Sequence, residues 1–226
     1  MINLSSLKDW REGINQVVCG DALDLLRMIP DKAVDLCLTD PPYGVGADAG
    51  VGGYGSAPAT AKKYADKWDC KPGKDYFESI LRASKVSAIF GGNYFTDLLP
   101  LGGRWIVWDK TGGVQFKNPF SDCELVWTTI PGVVTKKYIC IQQGFIAQER
   151  DRFHPTQKPV ALIRAILSDI TVEGDLILDP FAGSFTTAVA CKELGRRFIG
   201  CEISEAYAKI GEKRLAQEVM DFGARP

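Results

Sequence analysis

The residues best suited to chemistry are Asp40-Pro41-Pro42-Tyr43, which follow the apolar run Val34-Asp35-Leu36-Cys37-Leu38 and Thr39. A carboxylate, two rigid prolines and an aromatic ring would stand at the carboxyl end of a strand, where open α/β sheets bind their ligands. Prolines fix φ and remove amide donors, so their carbonyls can point outward as acceptors. Asp40 and the Pro41 carbonyl then form a two-acceptor clamp that suits an amino group bearing two hydrogens. Tyr43 is placed to stack on the ring that carries that group. A strand-ending turn uses the same residue types, so this segment alone leaves both readings open.

A second constellation follows Leu176-Ile177-Leu178: Asp179-Pro180-Phe181-Ala182-Gly183-Ser184-Phe185-Thr186-Thr187, then a helical run. A strand, a turn of small residues and a helix start make a cradle in which backbone approaches a ligand closely. Glu202 ends the next apolar run, about 20 residues beyond Gly183, where an acid is placed to hold a ribose diol. Turn and acid together do not separate a dinucleotide from S-adenosylmethionine.

The elements that must position these groups alternate along the chain. Runs at 16–19, 34–38, 86–90, 104–108, 124–128, 176–178 and 198–201 read as strands, and 22–28, 76–84, 160–170, 186–194 and 205–219 as helices. This alternation predicts a mostly parallel sheet covered on both faces. In the 160–170 helix, Ile163, Ile166, Leu167 and Ile170 repeat at core-facing spacing, with Thr156 able to cap and Pro159 suited to the first turn. Residues 44–66 read as a flexible loop, with six glycines in the first dozen positions. Residues 111–153 show few clean periods apart from the 124–128 run and a candidate strand at Tyr138–Ile141, and read as a small insert facing the substrate.

Composition narrows the class. The 226 residues, 46% hydrophobic and 24% charged, suit one soluble α/β domain spanning 1–226. No apolar run reaches the roughly 20 residues that span a bilayer, and residues 1–13 lack the apolar stretch of a signal peptide, so the expected location is cytoplasmic. The seven scattered cysteines include no Cys-x-x-Cys pair and read as reduced core residues. With His154 the sole histidine, no metal site is expected. A net charge of −1 points to no polyanionic partner. Any such contact must rest on local patches, namely Lys62, Lys63, Lys67, Lys71 and Lys74, or Arg150, Arg152, Lys158 and Arg164 around His154.

Taken in order, these motifs resemble the amino-methyltransferases of DNA, in the permuted β-group arrangement where the tetrapeptide precedes the cofactor turn. Three further segments carry the likeness: Cys19-Gly20-Asp21-Ala22-Leu23-Asp24-Leu25-Leu26, His154-Pro155-Thr156-Gln157-Lys158-Pro159, and Arg197-Phe198-Ile199-Gly200-Cys201-Glu202-Ile203 with Tyr207. The resemblance covers most of the chain outside the glycine loop and 111–153. It implies a Rossmann-like S-adenosylmethionine-dependent methyltransferase fold, mostly parallel with an antiparallel edge strand. It also implies that Asp40, Pro41, Pro42 and Tyr43 are catalytic. The implied cofactor residues are Asp21, Ala22, Asp40, His154, Thr156, Lys158, Asp179, Phe181, Ala182, Gly183, Ser184, Phe185, Thr186, Glu202 and Ile203. Asp21 would meet the cofactor adenine, the 154–159 segment its methionine end, with Lys158 on the carboxylate, and Glu202 its ribose.

The implied partner is DNA, with a base flipped out of the duplex onto Tyr43 and the glycine loop closing over it. Aspartate at the head of the tetrapeptide resembles adenine-N6 enzymes; cytosine N4 is the alternative target, and a catalytically weak DNA-binding relative a further one. Neither the recognition sequence nor the oligomeric state, a homodimer among the options, is legible. One position departs from the family pattern: Phe185 stands where glycine is usual. Its benzyl group would crowd the cofactor, form a wall of the site, or turn away into the core.

Overall fold

A computed structural model describes residues 1–46, 69–114, 121–132, 135–142, 153 and 156–217. Nine strands form one sheet: β1 (Ile2–Asn3), β2 (Val17–Cys19), β3 (Val34–Thr39), β4 (Ser84–Phe90), β5 (Arg104–Asp109), β6 (Cys123–Thr128), β7 (Thr135–Ile139), β8 (Leu176–Asp179) and β9 (Arg197–Glu202). Their order is β1-β2-β9-β8-β3-β4-β6-β5-β7. Among the described residues, five α-helices cover it: α1 (Ala22–Met28), α2 (Lys74–Ala83), α3 (Val160–Ile170), α4 (Thr186–Glu193) and α5 (Glu205–Ala216).

The central strands are apolar on both faces because both are covered. Along β3, Leu36 and Leu38 enter a core with Leu162, Ile163, Ile166 and Leu167 of α3. Val34 and Cys37 enter the opposite core, with Leu25 and Leu26 of α1 and Phe77 and Ile80 of α2. Each aliphatic side chain fully buried in this way contributes roughly 1.5–3 kcal/mol. The result is three layers, with α1 and α2 on one face of the sheet and α3, α4 and α5 on the other.

The chain leaves β3 through α2 toward β4, but leaves β8 through α4 toward β9 in the opposite direction along the sheet. β3 and β8 are neighbours, with Leu36 opposite Ile177 and Cys37 opposite Leu178. The switch point of the winding therefore falls between the strands that carry the tetrapeptide and the small-residue turn, and a crevice opens there.

One expectation needs correction. The reversed strand is β6, antiparallel to both β4 and β5, and it lies third from the edge rather than at it. The edge belongs to β7, which runs parallel to β5. The chain turns back after β5 to form β6 as its antiparallel partner. It then crosses β5 and lays β7 on the outside. The 111–153 stretch thus supplies two strands to the sheet itself. Lysines at 136 and 137 stand on the exposed β7 edge, where charge discourages pairing with another chain. Among the described residues, no helix is long and apolar enough to cross a membrane.

Candidate active site

β2, β3, β4, β8 and β9 run parallel, so their carboxyl ends share one edge of the sheet. Asp21, Asp40, Gly91, Asp179 and Glu202 fall on or just after those ends. β6 runs the other way and brings its first residues there instead, with Glu124 opposite Trp108 and Lys110 just beyond β5.

Asp40 is held on both oxygens. The Tyr43 hydroxyl donates to Oδ1 at 2.7 Å, and the Lys158 ammonium pairs with Oδ2. Lys158 is buried and reaches Glu124 Oε2 at 3.4 Å, while the other Glu124 oxygen pairs with Lys110. Four groups of alternating sign, Lys110, Glu124, Lys158 and Asp40, therefore form a chain of ion pairs that ends on the tetrapeptide. Burial pushes the Asp40 carboxyl above its ordinary range, opposed by Lys158 and the Tyr43 hydroxyl and reinforced by Glu124. Burial lowers the affinity of Lys158 for its proton, but Asp40 and Glu124 more than reverse this and hold the ammonium above its usual value. The expected partner of Lys158 is a cofactor carboxylate; here its partners are side chains of the protein.

Tyr43 is already stacked. Its ring lies 4.8 Å from that of Tyr94 at 18° and meets Phe95 edge-on at 6.0 Å. Beneath it runs Gly91 at φ +65°, where a Cβ would sit 2.2 Å from Tyr43 Cε1. Only glycine lets the end of β4 pass so close. Pro41 is buried and Pro42 half-buried. The Gly44 amide donates to Asp69 Oδ1 at 2.7 Å, which ties together the chain on either side of the glycine-rich stretch. Most of that stretch, 47–68, lies outside the described residues.

Across the crevice, the Thr39 hydroxyl donates to Asp179 Oδ1 at 2.8 Å, linking the ends of β3 and β8. Burial pushes the Asp179 carboxyl up to about 6, restrained by the Thr187 and Thr39 hydroxyls and the Phe181 amide. Glu202 accepts from the Gly183 amide on Oε2 and from the Ser204 amide on Oε1, each at 2.8 Å. Burial takes its carboxyl to about 7 against those bonds. Ala182 is buried, whereas a Cβ built on Gly183 would meet nothing within 4 Å, so the turn faces open space there. Arg214 of α5 braces the turn from behind, donating to the Ser184 carbonyl at 2.6 Å and to the Thr186 hydroxyl at 3.1 Å. Ser184 Oγ donates in turn to Gln157 Oε1 at 3.1 Å, joining the turn to the segment before α3.

Phe185 turns away from this crevice. Its side chain has no exposed surface, and its ring lies against Gly200 of β9 and Gly211 of α5. A Cβ on either glycine would come within 2.6 and 2.2 Å of the ring, respectively. The backbone at Phe185 keeps φ +62° and ψ +35°, a left-handed conformation that is uncommon for a bulky residue. The substitution thus preserves the shape of a glycine turn and sends the ring into the core.

Asp21 caps α1 by accepting from the Leu23 amide at 2.8 Å, and the Tyr76 hydroxyl donates to it at 2.9 Å. The Tyr76 ring lies 5.7 Å from that of Phe181, so α2 connects the α1 cap to the turn. Ala22 is buried, Thr156 is exposed and Ile203 is 73% exposed. His154 lies outside the described residues, as do Lys62, Lys63, Lys67, Arg150 and Arg152. The described members of the basic stretches have acidic neighbours: Lys71 with Asp97, Lys74 with Glu78 and Arg164 with Glu193. Sequence reasoning missed Glu124, Lys110, Tyr76, Tyr94 and Arg214.

A doubly wound sheet with one reversed strand and a crevice at the β3/β8 switch point is the fold of the S-adenosylmethionine-dependent methyltransferases. Among solved structures, the M1.HpyAVI–SAM complex superposes with a TM-score of 0.56 at 22% identity, covering 89% of this chain and 99% of that one. A family model for N6 and N4 enzymes, described as DNA methylase, matches residues 107–213. The type II methyltransferase M.HpaI of Haemophilus parainfluenzae is 27% identical over 248 residues, covering 92% of this chain and 76% of that protein. The type II methyltransferase M2.DpnII of Streptococcus pneumoniae is 57% identical over 65 residues, covering 29% and 24%. The chain is thus similar to the N6/N4 DNA methylases, through the family model over residues 107–213 and through a relative matched over most of its length.

Proposed function

We propose that the protein transfers a methyl group from S-adenosylmethionine to N6 of an adenine flipped out of DNA. The observation that carries this reading is the placement of Asp40 and Tyr43 beside the 179–187 turn. The two motifs lie far apart in sequence, yet Thr39 and Asp179 hydrogen-bond across adjacent strands.

The cofactor fits the crevice residues. Glu202 has lone pairs beyond those bonded to Gly183 and Ser204, so it can accept from a ribose diol. The open face at Gly183 leaves room for close approach of the ligand, and Asp21 with Tyr76 and Phe181 forms a half-buried patch suited to an adenine. Phe185 does not narrow this space. Bound there, S-adenosylmethionine supplies a methyl carbon activated by its sulfonium.

Asp40 and the Pro41 carbonyl accept hydrogen bonds from the target amino group, whose lone pair is otherwise delocalised into the base. Accepting both hydrogens pushes electron density onto nitrogen and favours its tetrahedral form. As the methyl group passed to nitrogen, the S–CH3 bond would break with its electron pair left on the now neutral sulfur, and the surplus proton on nitrogen would pass to the Asp40 carboxylate and then to water. Positioning and electrostatics carry the rate. A base within the duplex cannot reach this edge, so it must leave the stack, and Tyr43 with Tyr94 offers it an aromatic wall.

The test is transfer of labelled methyl to DNA, followed by digestion to nucleosides. N6-methyl-2′-deoxyadenosine is expected. N4-methyl-2′-deoxycytidine would reassign the target to the other exocyclic amine, and absence of label from DNA would refute the activity.

A further inference from the structure

We propose that Lys158 and Glu124 are positioning residues for Asp40: Lys158, divided between the two carboxylates, orients the Asp40 carboxylate toward the target amine and keeps it ionised. This assignment rests on the reading of Asp40 as the amine acceptor.

The geometry is specific. Lys158 is buried immediately before α3, with Phe90 and Tyr43 rings 5.2 and 5.8 Å from its ammonium. It pairs with Asp40 Oδ2 while Tyr43 holds Oδ1, so the carboxylate is fixed in rotation from both sides. Glu124 lies on the far side of the ammonium and is anchored by Lys110. Among the described residues, Glu124 Oε2 is buried outside hydrogen-bond geometry and meets Lys158 at ion-pair distance. A Glu124 oxygen placed there draws charge from Lys158 without fully engaging it, and so leaves the ammonium shared.

Buried charges are costly, and apolar residues of similar volume often stabilise a protein better. This row ends on the one carboxylate that must accept from a neutral amine. A protonated Asp40 would present a donor to an NH2 group that is also a donor. An Asp40 bound by an undivided lysine would be a poor acceptor. Sharing Lys158 with Glu124 avoids both conditions.

Among the described residues, the charged and titratable groups facing Asp40 are Tyr43 on its own segment, Lys158 before α3, Glu124 on β6 and Asp179 after β8, with Lys110 after β5 paired to Glu124 behind them. Of these, Lys158 and Glu124 act on Asp40 in opposite directions. Their removal must therefore move its titration in opposite directions. Without Lys158 the carboxylate loses its counter-ion and protonates at higher pH. Without the Glu124 charge it keeps an undivided lysine and protonates at lower pH.

The experiment follows the Asp40 carboxyl by 13C NMR in the full chain without DNA, assigned by its loss in Asp40→Asn. Lys158→Met is expected to raise its midpoint, Glu124→Gln to lower it, and Lys158→Arg to restore it. The acid limb of kcat/KM should shift in the same directions. kcat should fall on the order of 100-fold in Lys158→Met, as when a reacting group is displaced by about an ångström, with the cofactor Kd unchanged. Midpoints that do not move, or that move together, overturn the proposal. So does a Lys158→Met variant with weakened cofactor binding and an unmoved midpoint, which would return Lys158 to the cofactor carboxylate. The NMR titration needs no turnover, so a wild type that methylates nothing would refute the activity, while the midpoints of the variants would still support or overturn the arrangement around Asp40.

Discussion

Phe185 gives the sharpest test of how the 179–187 turn is built. Phe185→Gly removes a fully buried ring, a loss of about 3–5 kcal/mol for a phenylalanine cut back in a core. It also relieves the left-handed backbone, worth about 1–2 kcal/mol. The net expectation is a destabilisation of about 1–4 kcal/mol, with Phe185→Ala worse because it keeps the positive φ. Gly211→Ala provides the matching half of a cycle. In the wild type, the added Cβ would meet Phe185 Cδ2 at 2.2 Å. Overpacking of about 1–3 kcal/mol should outweigh the roughly 1 kcal/mol that alanine contributes over glycine within a helix. With Phe185→Gly in place the clash is gone, and the same Gly211→Ala should stabilise by about 1 kcal/mol. Urea unfolding of the four proteins reads the coupling, and calorimetry reads S-adenosylmethionine affinity, expected within a few-fold of wild type in Phe185→Gly. A Gly211→Ala effect of the same sign and size in both backgrounds would refute the packing. Markedly tighter binding in Phe185→Gly would show that the ring obstructs the cofactor.

Further outcomes follow from the two buried carboxyls at the crevice, Glu202 and Asp179. Glu202 titrates at about 7 in the folded protein, well above an unfolded glutamate, and in its proposed role would accept from a diol more strongly when ionised. Cofactor affinity by calorimetry should therefore weaken as pH falls through about 7, and Glu202→Gln should abolish the dependence; equal affinity on both sides of that pH would contradict the role. Because the folded state binds this proton more tightly, Glu202 should also cost stability as pH rises from the ordinary glutamate range to about 7, and nothing further above it. Thr39→Val deletes the 2.8 Å bond to Asp179 while conserving shape. Stability by urea unfolding should fall by about 1.5–3 kcal/mol, the range for a hydrogen bond to a charged group, and Asp179 should titrate above its present value of about 6. No loss of stability would mean that the link between β3 and β8 lies elsewhere.

Local pattern made the helices legible. α1 and α3 begin and end where apolar spacing placed them, at Ala22–Met28 and Val160–Ile170. The central strands were readable because burial on both faces leaves continuous apolar runs. β1 was not, since its two residues owe their conformation to pairing with β2. The tetrapeptide and the turn were visible as motifs, but the charges that govern Asp40 were not. Glu124 reads as an ordinary residue at the start of a strand, and only the reversal of β6 brings that start to the carboxyl edge. Lys110 joins it through the β5–β6 register. Phe185 could be named as a departure, yet its fate depended on two glycines, one on β9 and one on α5, whose correspondence no local pattern reveals.

The adjacency of β3 and β8 also bears on how the chain is made. During synthesis β3 emerges early and can take β4 on one side, while its other edge has no partner until β8 leaves the ribosome. For most of translation, Val34–Thr39 presents an open row of amides and carbonyls flanked by apolar side chains, a template for association with other chains. Pairing so distant in sequence is slow to form. The nascent protein is thus most vulnerable to aggregation at the strand that will carry Asp40, and variants that delay β8 should lower soluble yield even where the finished fold is stable.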